Sequence, residues 1–399
     1  MISDKLRRFH LPNKNRLACL LLIIFSLTCT TGCWNQIEVT STAETDGVAL
    51  DLQNGQPTFS VQLATTAEKK DTGSAPTKPL NITETGQTYA EAARRITLGL
   101  PRLPLWAHTG IFLLGENLVN QDLALAADFL ARNRNVRKTG LIFVTKGATG
   151  QQCLEAELPA DTSIAGLKKL ITIQGQTLGY YQSVTIDKFL EALATPGIDP
   201  AVPMVAITDQ NGKKMLRLDG TAVFKDRRMV GALNESESQG YRFLSPRQIT
   251  GGLLVVDFTP PGEAPSGNDL ITMELTRSQA IVKPVFQGNK IIISIHIEAE
   301  GNFYDQNFPG KVLSPENVNP LQEAVDEKIK SEVTAAIEKA QSLDSDIFGW
   351  GVMVQHQNPD YWQQLGNDWS QSFPGIETDV NVHYVMRRAY LLDESFEFK

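Results

Sequence analysis

The chain has 399 residues, 42% of them hydrophobic and 21% charged, with a formal net charge of −8. That composition excludes a disordered or membrane-embedded chain, and the length asks for two or three domains with ample core. An acidic surface is a poor partner for nucleic acid or an anionic bilayer, so no nucleic-acid partner is expected.

Lys5, Arg7, Arg8, Lys14 and Arg16 face a single acid, Asp4, and an uncharged run then follows from Leu17 to Thr28. A basic stretch, an apolar stretch and small residues after it have the form of a secretory signal. The run is shorter than the roughly 20 apolar residues a spanning helix needs. Thr30, Thr31 and Gly32 lead into Cys33, and a Gly-Cys junction at this place resembles a bacterial lipobox, whose thiol receives a diacylglycerol before cleavage. Thr30 stands where an aliphatic residue is usual, and Cys29, behind Thr28, is the rival site. Residues 1–32 are therefore expected to be a signal peptide and Cys33 an S-diacylglycerol anchor, whether or not its amino group is acylated too. Two acyl chains hold a protein to a bilayer stably where one does not. Trp34 would follow at the interface, where an indole is at ease. Plain secretion and an uncleaved anchor are the competing readings. Without the leader's five basic residues and one acid, the charge moves from −8 to −12.

Of the four cysteines only Cys153 then stays free, so neither an intrachain disulfide nor a Cys/His metal site is expected. In "GQQCLEAEL" it reads as a small buried apolar residue.

Residues 44–63 predict two strands around an Asn54-Gly55 turn. The polar stretch 64–88 predicts one long loop. Thr88 and Glu91 form a capping box, and Tyr89, Ala92, Ala93, Ile96 and Leu100 keep helical spacing until "LPRLP". "TGIFLLGE" and "GLIFVTKG" predict short buried strands, separated by a helix through Leu123, Ala126, Ala127 and Leu130. "IDKFLEALA" predicts another helix, and 196–213 a linker region with a short strand. The expected fold is mixed α/β over 33–213, a segment that may subdivide, and α+β over 214–399. The second domain opens with the hairpin "LDGTAVFKDRRMVGAL". Ile291, Ile293, Ile295, Ile297 and Ala299 alternate with polar residues along one strand, as in an antiparallel-type sheet. A long helix runs through Leu321, Val325, Ile329, Val333, Ile337 and Ala340, and a last strand through Val380, Val382, Tyr384 and Met386.

The ordered set "GCWNQIEV", "EAARRITLGLPRLPLWAHTGIFLLGE", "DFLARNRNVRKTGLIFVTKG", "LDGTAVFKDRRMVGAL", "IEAEGN", "SDIFGWG", "YWQQLGNDWSQSFP" and "VHYVMRR" resembles the Ger(x)C family nearly end to end. That family supplies the lipoprotein C subunit of GerA-type nutrient germinant receptors of endospore-forming bacteria. Asn35 replaces the family's usual Asp, and Ala232 stands where a Trp often follows. The resemblance implies a lipid-tethered accessory subunit on the outer face of the spore inner membrane, working with membrane-embedded A- and B-type subunits. Vegetative paralogues make the cell membrane the alternative setting.

No nucleophile elbow, zinc-protease, P-loop or dinucleotide motif is present, and no catalytic residue, metal or cofactor is expected. His296, His383, Glu298 and Glu300 read as a solvated sheet face, and His108 as a structural hydrogen-bonder. Arg132, Arg134, Arg137 and Lys138 form the densest basic run, either a solvated helix end or a docking patch for an acidic partner or lipid headgroups. Trp350, Trp362 and Trp369, with Phe348 and Tyr361, are expected to fill the second core. A solute-binding lipoprotein serving a transporter and an envelope hydrolase are the competing functions; the first needs two similar lobes around a cleft.

Overall fold

The computed structural model describes residues 13–29, 41–64, 79–158, 163–262, 269–288, 290–308, 312–365 and 369–389. Near the N-terminus, α1 (Asn13–Cys29) exposes Leu17, Leu20, Leu21, Leu22, Ile23 and Phe25. Among the described residues no helix is long and apolar enough to cross a membrane. Cys33 and Trp34 lie outside the described residues.

From Ala43 onward, runs of apolar residues build a nine-stranded sheet. Its strands are β1 (Thr42–Gln53), β2 (Gln56–Leu63), β3 (Asn81–Thr85), β4 (Leu103–Leu105), β5 (Ile111–Leu114), β6 (Leu141–Lys146), β7 (Ala201–Gln210), β8 (Lys213–Lys225) and β9 (Arg228–Leu233). The order is β3-β2-β1-β5-β6-β7-β8-β9, with β4 paired to β1. Strands β1, β5, β6 and β7 run parallel, and antiparallel hairpins extend both flanks. Helices cover both faces, which is why β5 and β6 read as continuous apolar runs instead of alternating. One face packs Val48, Leu50, Phe112 and Ile142 against α2 (Tyr89–Arg95), α3 (Glu116–Gln121), α4 (Ala124–Arg132) and α7 (Ile186–Ala194). The other packs Ala49, Leu113 and Phe143 against α5 (Gly150–Glu155) and α6 (Leu167–Thr177).

Local chemistry sets the element ends. Asn54 and Gly55 take φ of 52° and 77°, the left-handed pair that a two-residue hairpin matching strand twist requires. Thr88 Oγ1 accepts the Glu91 N–H at 3.1 Å, while the Glu91 carboxylate reaches back to the Gln87 N–H at 2.8 Å, so α2 is capped over one more residue than a standard box.

Two expectations are corrected. Residues 81–85, read as loop, form β3, because Asn81–Thr85 can complete the outer edge of β2. The stretch 196–213, read as a linker region with a short strand, holds a longer one, the ten-residue β7, whose Ala201–Ala206 are buried between two strands. Moreover, β8 and β9, the hairpin assigned to the second domain, pair onto β7 and belong to the first sheet.

The second sheet has the order β10 (Leu253–Asp257), β11 (Leu270–Gln287), β12 (Lys290–Gln306) and β13 (Glu377–Ala389). Three strands are antiparallel, and β13 joins β12 in parallel. The chain returns for that pairing through α9 (Pro315–Ser342), α10 (Trp350–Gln357), α11 (Pro359–Leu365) and α12 (Trp369–Ser372), since a parallel pair needs a crossover. Ile293, Ile295 and Ile297 face Val325, Ile329 and Val333 of α9, and Val223 and Leu233 of the first sheet enter the same core. Two side chains of α9 also occupy the free edge of β13: Asp326 accepts the Tyr384 N–H at 2.6 Å and Gln322 the Met386 N–H at 2.9 Å.

Helix α8 (Glu235–Phe243) lies against α9 at a distance only glycine permits: a Cβ on Gly240 would sit 2.0 Å from the Glu332 carbonyl oxygen. Gly240→Ala should cost at least about 2 kcal/mol in urea unfolding, because a backbone cannot give way as a side-chain tip can. Gly175→Ala, on α6 with open space around it, should instead be neutral to stabilising by up to about 1 kcal/mol. Equal effects at the two positions would refute the close α8–α9 contact.

Candidate functional site

The basic run sits at the end of α4 and before β6. Arg132 pairs with Asp128 at 2.5 Å on the exposed helix face. Lys138 turns inward, and its ammonium donates to the Leu130 and Asn133 carbonyls that α4 leaves open; burial lowers its pKa. Arg137 Nε donates to Thr139 Oγ1 at 2.8 Å, and Arg134 faces solvent. Three arginines are thus surface groups, whereas Lys138 caps a helix.

On the outer face of the second sheet His296 and Glu298 stand 3.7 Å apart, and His383 lies in register beside Glu298. Glu300 is held by Arg387 at 2.6 Å and Arg277 at 2.9 Å; the Arg387 hydrogen bond leads in keeping its pKa low. No group of three or more His, Cys, Asp and Glu among the described residues could hold a metal ion. His108 is exposed. Cys153 is fully buried, and desolvation pushes its thiol up to about 12, so it has no thiolate to offer at neutral pH.

The most connected polar group is one the sequence reading passed over. Asp346, 1% exposed, follows α9 in "SDIFGWG". Its Oδ1 accepts N–H bonds from Phe348 (3.2 Å) and Trp350 (3.1 Å). Its Oδ2 accepts from Gly351 (2.8 Å) and from the indole Nε1 of Trp369 (3.0 Å). Burial pushes the pKa up to about 6 against the pull of these donors, with Asp199 adding to the rise. Across the seam, Asp199 donates its N–H to the Asp346 carbonyl at 2.8 Å, while its carboxylate accepts the Asp346 N–H at 3.0 Å and Lys225 at 3.1 Å. Ser345 Oγ donates to the Phe224 carbonyl at 2.6 Å. Gly197 and Gly351 touch backbone to backbone: a Cβ on Gly197, whose φ is +86°, would lie 2.8 Å from the Gly351 carbonyl carbon. Trp350 and Trp369 are buried here, with Phe348, Tyr361 and Trp362 half-buried around them, as the aromatic clustering predicts. Beside this seam lies a cleft of about 550 Å³, lined by Thr195–Pro200, Lys225, Trp362 and Trp369.

Arg242 makes a second stitch. It is 7% exposed and donates to the carbonyls of Gly175, Gly179, Thr250 and Gly251 at 2.9–3.3 Å, joining the end of α6 to the entry of β10. Burial lowers its pKa to about 10, which leaves it charged, and the negative end of α6 favours that charge.

Open α/β sheets bind ligands beyond the carboxyl ends of their parallel strands, on helix N-termini. Here Asp51, at the end of β1, fills that place: its carboxylate accepts the Gly150 and Gln151 N–H groups at 2.7 and 3.1 Å at the start of α5. Glu116 takes the Gly147 N–H at 2.7 Å. These three amides, which could otherwise face an anion, are satisfied by the chain's own acids.

Residues 35–207 match the family described as the spore germination protein N-terminal domain, and residues 219–390 the family described as spore germination B3/GerAC like, C-terminal. Spore germination protein KC of Bacillus subtilis (strain 168) is 21% identical, over 94% of this chain and 96% of that one. Spore germination protein B3 of the same organism is 23% identical, over 91% and 95%. The crystal structure of the GerBC protein superposes with a TM-score of 0.53 at 19% identity, covering 86% of this chain and 97% of that one, and so shares its fold.

Asp346→Asn places an NH₂ group against two N–H donors and should cost about 2–4 kcal/mol in urea unfolding, with loss of the near-UV tryptophan signal. An unchanged midpoint would show that the seam carries no weight. Cys153 should stay unmodified by a thiol reagent until urea unfolds the chain; rapid reaction in the folded state would contradict its burial.

Proposed function

Since the chain belongs to the Ger(x)C family of spore germination proteins, we propose that it is the lipid-anchored, non-enzymatic subunit of a nutrient germinant receptor complex. The carrying observation is the end-to-end match of two consecutive segments to germination proteins of the same overall length. Its role lies in spore germination; the lipid anchor, the receptor complex and the membrane face belong to the proposal. The division at 213/214 remains part of the proposal. Both segments nevertheless share one sheet, because β7 of the first pairs with β8 of the second.

In this reading Cys33 carries the diacylglycerol, and the body stands on the outer face of the spore inner membrane, or on the cell membrane if made vegetatively. It works there beside membrane-embedded A- and B-type subunits. Such a role asks for rigid surfaces, not turnover. Asp346 and Arg242 supply rigidity by consuming buried charge in structural bonds. A solute-binding role is less well supported, since the two halves differ in architecture and Asp51 occupies the usual ligand place.

Two measurements test this. Cys33→Ala should move the protein from the membrane fraction to the soluble fraction and weaken the nutrient response; a variant that remains membrane-bound would refute the lipid anchor. Crosslinked recovery of the tagged chain from spore inner membrane should bring A- and B-type subunits with it. Recovery from growing cells alone, without them, would overturn the receptor assignment.

A further inference from the structure

The parallel sheet has two unlike ends. At the carboxyl ends, Asp51 and Glu116 close the surface from within. At the amino ends of β1, β5 and β6, exposed apolar and cationic side chains gather instead. Strand β4 lies on the first residues of β1, where Thr45 Oγ1 donates to the Leu105 carbonyl at 3.3 Å. The loop that carries β4 leaves Leu98 75% and Leu103 47% exposed, with Arg102 between them facing solvent. Arg134 and Arg137 are exposed in the segment that enters β6, whose first residue, Leu141, binds the Gly110 carbonyl at 2.8 Å just before β5. The acids near this end include Glu44, Asp187, Asp46, which accepts the Ser163 hydroxyl, Asp128, already paired with Arg132, and Glu91, which lies by Leu98 and pairs with Arg95.

We infer that this end of the sheet is a docking face for an anionic phospholipid surface, with Arg102, Arg134 and Arg137 on headgroups and Leu98 and Leu103 in the interface. The inference rests on the lipid anchor proposed above. Two observations choose the occupant. The chain as a whole is acidic, with a net charge of −8, so an anionic bilayer repels most of it and attracts only a local basic face. The tether chooses the same end: β1 begins at Thr42, nine residues after Cys33, and nine residues span at most roughly 30 Å. An acylated Cys33 would therefore hold the amino end of β1 within that distance of the bilayer. Exposed leucines flanked by arginines suit the boundary between headgroups and acyl chains.

The test uses the full chain, processed and acylated in a bacterial host. Leu103→Cys is labelled with an environment-sensitive fluorophore, and Gln56→Cys, at the opposite end of the sheet, serves as the reference. The native Cys153 is buried and does not compete for label. Each protein is reconstituted with vesicles of phosphatidylcholine, or of equimolar phosphatidylcholine and phosphatidylglycerol, containing brominated lipid as quencher. The expected result is flotation in both, with several-fold stronger quenching at 103 than at 56 in the anionic vesicles. The combined variant Arg102→Glu, Arg134→Glu, Arg137→Glu should still float and lose that quenching. Equal quenching at both positions, or quenching unaffected by charge reversal, overturns the docking face and leaves the anchor standing. Failure to float overturns the anchor, and the docking face with it. Protection of position 103 only when the A- and B-type subunits are added would assign the face to an acidic protein and overturn the lipid reading.

Discussion

A carboxylate taken out of water has to be surrounded by donors, and Asp346 meets that demand by drawing four N–H groups and a second carboxylate's loop around itself. In doing so it fixes the turn from α9 into α10, seats Trp369, and pulls the 195–200 loop onto Gly351. That loop leads into β7, and β7 carries β8 and β9, so the first sheet inherits its position from the same bonds. Arg242 repeats the device with the opposite sign, serving four carbonyls from two segments. Both groups would be costly if left unpartnered, and that cost ties the two sheets to one arrangement.

The same economy shapes the surface. Where an α/β sheet ordinarily receives a ligand, the carboxylate of Asp51 satisfies the α5 amides. At the amino ends of the same strands, Arg102, Arg134, Arg137, Leu98 and Leu103 are left to solvent.

How much of this was legible depended on the range of the physics. Asn54-Gly55 announced a hairpin because only left-handed residues make that turn. Alternating isoleucines announced β12, and the heptad-like spacing of α9 announced its buried stripe, because both patterns are local consequences of one wet and one dry face. Strand β7 showed only as a short strand in a linker, because both of its faces are buried, so it lacks alternation and sits among prolines and glycines. Lys138 read as part of a basic patch, since nothing in its neighbours shows that it folds back over the end of α4. Asp346 carried only a faint signal: an aspartate ahead of Gly349 and Gly351, where a carboxylate could collect nearby amides.

The sequence by itself determined the Ger(x)C resemblance, the capped helices, the turns and the alternating strands, because each is written in residues that are neighbours along the chain. The tertiary structure alone decided that β8 and β9 join the first sheet, that the parallel β13 closes the second, and that Asp346 and Arg242 hold the two together. Those outcomes rest on partners as far apart as Asp199 and Asp346, whose meeting depends on desolvation and packing after the chain has folded back on itself.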